Sequence, residues 1–413
     1  MHPISETAAA HSVLSSEAVR QRAHWLLAIA LQDGLPHFRV DLTRLEAAAD
    51  LVVATTLRAY PDLKVPFHSR WRHFVVGGQD RWAAVERVAA WRGSHERARA
   101  AFDLAITSVL LDAGAGPSWL YRDAASGVRV GRSEGLALAS LAMFAAGRLS
   151  SEESSPLRAD AAALPALSGE MLAHHFQVTS TNPLPGSAGR ADLLRRLGAA
   201  VAARPEVFAR ADSPRPGGLF DHLAATARDG SIAAPAILSE LLLHLAPIWP
   251  SRLELSGVPL GDCWRHPAMT TGDATSGLVP LHKLSQWLAY SLIEPLQAAG
   301  IAVTDIDGLT GLAEYRNGGL FLDTGVLALR DANDADREHE VGSHLVVEWR
   351  ALTVALLDRL AEAVRAKLAM DAATLPLARI LQGGTWAAGR AIARERRADG
   401  SPPIKVVSDG TVF

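Results

Sequence analysis

The sequence predicts a mainly α protein: a large helical globule with a few short β-strands. Apolar residues recur at helical spacing along most of the 413 residues, while strand-like alternation is confined to short stretches. Hydrophobic residues make up 49% and charged residues 21%, a composition that can bury a large core without disulfides or metals to hold it.

In chain order, residues 16–32 open with Ser-Ser-Glu and set Val19, Ala23, Leu26 and Leu27 on one stripe of a helix. A second helix covers 42–60 and ends before Pro61. Residues 67–91 mix aromatic and basic side chains, and Gly77-Gly78 divides them into an aromatic loop and a following helix. A helix over 95–113 precedes a short strand pair in 119–130, which turns at Ser126-Gly127. The next helix, 133–146, takes Ser133 as its N-cap. Helices follow at 190–204 and 234–245, with 213–218 (SPRPGG) as a loop between them. The helix at 281–299 is kinked by Pro295. Residues 319–329 (GLFLDTGVLAL) read as the best strand, 345–368 as a helix running through the middle of the core, and 402–410 as a strand and turn. These elements divide into an N-terminal helical part, 1–150, and a C-terminal helical part, 151–413, or form one continuous domain.

A formal charge of -3 and a pI near 6.6 exclude nucleic acid and anionic membrane as main partners. Only four residues are lysine, so the positive charge is nearly all arginine. The single cysteine, Cys263, excludes an internal disulfide and a cysteine-rich zinc site. The N-terminus lacks the pattern of a signal peptide, and the apolar window 135–146 is too short to span a bilayer. A soluble, cytoplasmic protein is expected, acting on a small molecule.

No metal motif, Walker loop, dinucleotide fingerprint or Gly-x-Ser-x-Gly elbow is found. Two glycine-rich stretches concentrate acids and bases between apolar helices. The first, 261–282 (GDCWRHPAMTTGDATSGLVPLH), supplies Asp262, Trp264, Arg265, His266, Asp273 and His282. The second, 305–323 (DIDGLTGLAEYRNGGLFLD), supplies Glu314, Tyr315, Arg316 and Asn317. Such connections are where ligand sites form, but the same residues also make good turns, with Asn317-Gly318-Gly319 as a tight one. His282 and Gln286 lie one helical turn apart and should point together. Glu348 and Arg350 flank Trp349 in the core helix and read as a buried structural ion pair.

The blocks TSVLLDAGAGPSWLY, RSEGLALASLAMF, GDCWRHP, VPLHKLSQWLAYSLIEP, GLTGLAEYRNGGLFLDTGVL, VEWRALTVALLDRLA and LQGGTWAAGR…PPIKVVSDGTVF resemble the uracil-catabolism protein family, long known only as a domain of unknown function. The likeness runs from about Trp71 to Phe413. A weaker likeness joins the order Leu-x-x-Leu-Ala-Glu-Tyr-Arg, then a strand, to the Asp-Tyr-Arg segment of queuosine-salvage nucleotide N-glycoside hydrolases, with Glu314 in place of the aspartate. That second likeness implies a DNA-glycosylase-like helical core.

Together the two resemblances imply hydrolysis of the N-ribosidic bond of ribosylurea or its 5′-phosphate, giving urea and ribose or ribose phosphate. They imply a catalytic role for Glu314, and Asp273 and His282 of the first glycine-rich stretch are expected to act beside it. Glu314 would face C1′, Asp273 would hold ribose hydroxyls or assist the water, and His282 would protonate the departing urea. Arg316, Arg265 and Lys283 would meet a phosphate, and Tyr315 and Trp264 would pack on the sugar or the urea. Asn317, Asp262, His266 and Gln286 complete the binding set. No metal or organic cofactor is required, and contact with other uracil-catabolism enzymes is implied. The alternatives are a non-catalytic partner of the ring-opening enzyme and an amide hydrolase acting on the opened pyrimidine.

Overall fold

The computed structural model describes residues 5–112, 114–116, 118–209, 213–249 and 253–407. The fold is mainly α. Among the described residues the strands are two or three residues long and form only two-stranded pairs. No helix among them is long and apolar enough to cross a membrane.

The helix His344–Leu368 is the axis of the core. Ser343 starts it by accepting the amide of Val346 at 3.4 Å, and the run from Leu345 to Leu357 is buried without a break. A helix with no wet side over that length must be covered all round. Its neighbours include Ser16–Leu31, Leu45–Ala59 and Tyr315–Asp323. A second group of helices centres on Lys283–Ala298, which continues past Pro295 and packs on Ser94–Leu110 and Ala234–Leu245. Ser94–Leu110 in turn carries Arg132–Ala145. One buried apolar cluster runs through both groups, from Leu14 to Ile404.

Short strands tie distant segments together. Phe38–Val40 pairs antiparallel with Leu327–Leu329, so the start of the chain is fastened to its second half. The expected pair in 119–130 is present as Leu120–Arg122 with Arg129–Gly131. Gly77 and Gly78, both at positive φ, turn Val75–Val76 back onto Gln79–Asp80; Asp80 then caps the helix Arg81–Val88 by accepting the amide of Ala83. Lys405–Val407 is a strand as expected, and residues 408–410 of that reading lie outside the described residues.

Three expectations are corrected. The segment 319–329 is not one strand: Tyr315–Asp323 is a helix and only Leu327–Leu329 is extended. Gly318, read as part of a tight turn, allows close helix packing instead, and Gly389 does the same from the facing helix. A Cβ on Gly318 would lie 2.6 Å from Trp349 Nε1, and one on Gly389 would lie 2.1 Å from the carbonyl oxygen of Arg316. Ser133 is not an N-cap. The helix begins one residue earlier, after Gly131, and the Ser133 hydroxyl donates to Asp112 at 3.0 Å. Glu348 and Arg350 do not pair, because residues two apart on a helix face different sides. Glu348 meets His266 at 3.0 Å, while Arg350 forks onto Asp262 with two bonds of 2.8 Å.

Candidate active site

Three helices begin around one cavity of about 450 Å³: Arg132–Ala145, Lys283–Ala298 and Tyr315–Asp323. Each contributes residues of its first turn, so the cavity receives the positive ends of three helix dipoles. His68, His73 and Trp287 form one wall, and Trp386 with residues 399–402 forms another.

Glu314 is the N-cap of the third helix. Its Oε2 accepts the Arg316 amide at 2.8 Å and its Oε1 accepts the Asn317 amide at 2.6 Å. These bonds fix the carboxylate and leave it on the cavity wall, 8% exposed. Burial raises its pKa against the pull of the two amides and of Lys283 and Arg316. The cavity's other acids are engaged elsewhere. Asp112 pairs with Arg70 at 2.6 Å, Glu134 with Arg390 at 3.2 Å, and Asp399 accepts the Ser401 amide.

The cations are less fully matched. The Lys283 ammonium lines the cavity with no hydrogen bond or ion pair among the described residues; burial lowers its pKa, with Glu314 the largest opposing influence. Arg132 likewise has no acidic partner among them. Burial, and then Arg316 and Arg390, lower its pKa. Arg316 is buried, donates to the carbonyl of Gly400 at 2.9 Å and stacks over the Tyr315 ring at 4.9 Å.

The histidine wall is fixed from behind. His68 Nδ1 lies 3.0 Å from Gln382 Oε1, and His73 Nδ1 lies 3.5 Å from an Arg70 nitrogen. Both rings stand against Trp287, at centroid distances of 6.1 and 5.4 Å. Burial lowers both pKa values; beside His73 the Arg70 charge adds to the effect and carries it well below the usual histidine value.

Of the sequence-derived candidates, the cavity gathers Glu314, Tyr315, Arg316 and Lys283. The others lie elsewhere. Asp273 is exposed and closes a turn by accepting from the Thr275 amide and the hydroxyls of Thr271 and Thr275. His282 is buried behind the wall with Nε2 on the carbonyl of Val13 at 2.9 Å. It does not join Gln286, whose amide is spent on Thr310 at 2.8 Å. Asp262 is filled by Arg350, the Trp264 indole and the Lys283 amide; His266 meets Glu348, and Arg265 is exposed. Asn317 turns its side chain to the Leu312 carbonyl. His68, His73 and Arg132 line the cavity and are not among the sequence-derived candidates. The signal was present in the basic and aromatic run FHSRWRHF, and in an arginine placed at the start of a helix, where the macrodipole disfavours it.

Outside the cavity, His222, Glu240 and His244 offer three donor atoms within 4.8 Å of one another. Glu240 Oε2 already sits 2.8 and 2.9 Å from the two histidine Nε2 atoms. Arg204 approaches Nδ1 of His244 at 3.4 Å, which makes that nitrogen the acceptor and Nε2 the N–H donor. The arrangement is that of a hydrogen-bonded triad.

Residues 12–413 match the family model described as a protein of unknown function, DUF1688. The chain is 40% identical over 411 residues to Protein urg3 of Schizosaccharomyces pombe, covering 97% of this chain and 98% of that one. It is 36% identical over 414 residues to Uracil catabolism protein 4 of Lachancea kluyveri, covering 91% and 92%. A match of that extent to the family model shows that the chain belongs to the DUF1688 family.

Proposed function

We propose that the protein acts in uracil catabolism as a hydrolase of an N-ribosidic bond, releasing urea from ribosylurea or its 5′-phosphate. The name of the Lachancea kluyveri relative supports the pathway. The observation that carries the reaction is Glu314: a carboxylate fixed by two backbone amides on the wall of the cavity, among cations that lack acidic partners among the described residues.

Loss of a nitrogen leaving group builds positive charge at C1′. A preorganised carboxylate stabilises that charge without reorienting, which is the most effective kind of electrostatic catalysis. The water that bonds to C1′ gives up a proton to Glu314, and the raised pKa of this carboxyl suits it to accept one. Arg132 and Arg316 supply the positive surface for a phosphate, since guanidinium forks match its oxygens. Their lack of a carboxylate counter-charge favours the phosphorylated substrate over the free riboside. Tyr315 offers a ring face to the sugar.

The test is urea release by the purified protein from ribosylurea 5′-phosphate. The wild type should turn over, and Glu314→Gln should lower the rate by roughly 10²-fold or more. No urea from the wild type would remove the reaction, and undiminished turnover by the variant would remove Glu314 from it.

A further inference from the structure

We propose that His68 and His73, both packed against Trp287, form a recognition pocket for an uncharged ureido group, –NH–CO–NH₂. This rests on the N-ribosidic reading and gives that reaction a seat for its leaving group. The two rings are 7% and 9% exposed, line the cavity, and leave their Nε2 atoms without a partner among the described residues.

Their hydrogen bonds set opposite tautomers. Gln382 presents its carbonyl oxygen to His68, so Nδ1 of His68 carries the proton and Nε2 offers a lone pair. Arginine can only donate, so Nδ1 of His73 accepts from Arg70, and its proton resides on Nε2. One wall therefore holds an acceptor and a donor, on rings whose centroids are 6.5 Å apart. A ureido group presents the complement, an N–H and a carbonyl oxygen in one plane, and the indole face of Trp287 suits that plane. The indole N–H of Trp287 is buried with no partner among the described residues.

Burial keeps the pair neutral; Arg70, Arg72 and Arg390 act in the same sense on His73, while at His68 Lys283 does so against Gln382 and Asp112. A neutral pair selects ureido over guanidinium, which has no acceptor, and over carboxylate, which has no donor. Lys283 is within electrostatic reach of both His68 and Glu314, so the pocket adjoins the proposed position of C1′. During cleavage the C1′–N electron pair moves onto the N–C=O unit. The carbonyl oxygen takes up negative charge under the His73 N–H. The proton that the attacking water gives to Glu314 then neutralises the departing urea.

Nitrogen-edited NMR of the ¹⁵N-histidine-labelled full chain reads both tautomers without requiring turnover, with N-methylurea as probe. At pH 7 His68 should show Nδ1–H and His73 Nε2–H. N-methylurea should shift both rings saturably, while methylguanidinium and acetate should not. His73→Leu should abolish the response at His68, and His73→Gln, which restores an N–H donor, should bring affinity back to within about tenfold. A cationic ring, identical tautomers, the absence of a saturable shift, or an equal response to all three probes would overturn the proposal. If the probe binds as described and no urea is released from the riboside, the ureido pocket stands and the hydrolase reading falls.

Discussion

Asp262 and Glu314 are both buried carboxylates set at the start of a helix, and their surroundings use them in opposite ways. Asp262 receives four hydrogen bonds: two from the Arg350 fork, one from the Trp264 indole and one from the Lys283 amide. Burial opposes its ionisation, but Arg350 together with the Trp264 and Lys283 hydrogen bonds holds the carboxyl well below its usual range. Glu314 receives two bonds, both from its own helix, and burial wins, so its pKa rises. The first carboxylate has no acceptor capacity left and clamps the Cys263–Arg265 strand to the core helix. The second keeps open lone pairs on a cavity wall. A buried charge with every bond filled is architecture; one with bonds to spare beside unmatched cations is where a ligand belongs.

Four changes sharpen this contrast. The largest effect on stability should come from Asp262→Asn, which leaves Arg350 buried without its counter-charge and should cost roughly 3–5 kcal/mol in urea denaturation. Glu314→Gln should leave stability nearly unchanged or raise it, since the carboxylate is desolvated without an arginine fork. If both variants are equally destabilised, the contrast fails. Next, Arg132→Gln should raise KM for a phosphorylated substrate about tenfold with kcat little altered, as expected for loss of one charged hydrogen bond.

The third expectation concerns pH. His68, His73 and His282 all have folded pKa values pushed down by burial. Below an unfolded value near 6.5 the unfolded chain takes up protons that the fold refuses, so stability should fall as pH drops through about 6.5 and be level above it. Glu314 acts in the reverse sense, losing stability as pH rises through its elevated folded value. Thermal melts of Glu314→Gln across that range should therefore lose stability more steeply in acid than the wild type. The smallest effect is expected for Asp273→Asn. Its exposed turn should shift by no more than about 0.5 kcal/mol, and urea release should be unaffected.

Much of the architecture was legible in the sequence, because helical periodicity is written locally. The helix at 234–245 was placed to the residue, and the core helix to within one. The reading failed where a tertiary contact gives a residue its meaning. Gly318 looks like a turn former but serves helix packing. Asp262 and His266 look like site residues, yet their partners Arg350 and Glu348 lie more than eighty positions away. The candidate site was half legible: Glu314, Tyr315 and Arg316 come from a glycine-flanked motif, and Lys283 follows the other glycine-rich stretch. Arg132 and the histidine wall are brought to them only by the packing of Arg132–Ala145 and the Arg70–Phe74 turn against the rest of the core.

The most direct test of the central claim is a crystal structure of the protein soaked with ribose 5-phosphate. The account predicts C1′ within about 3.5 Å of a Glu314 carboxylate oxygen, with the phosphate toward Arg132 and Arg316. A sugar bound with C1′ turned away from Glu314, or seated against the Asp262 loop, would contradict it.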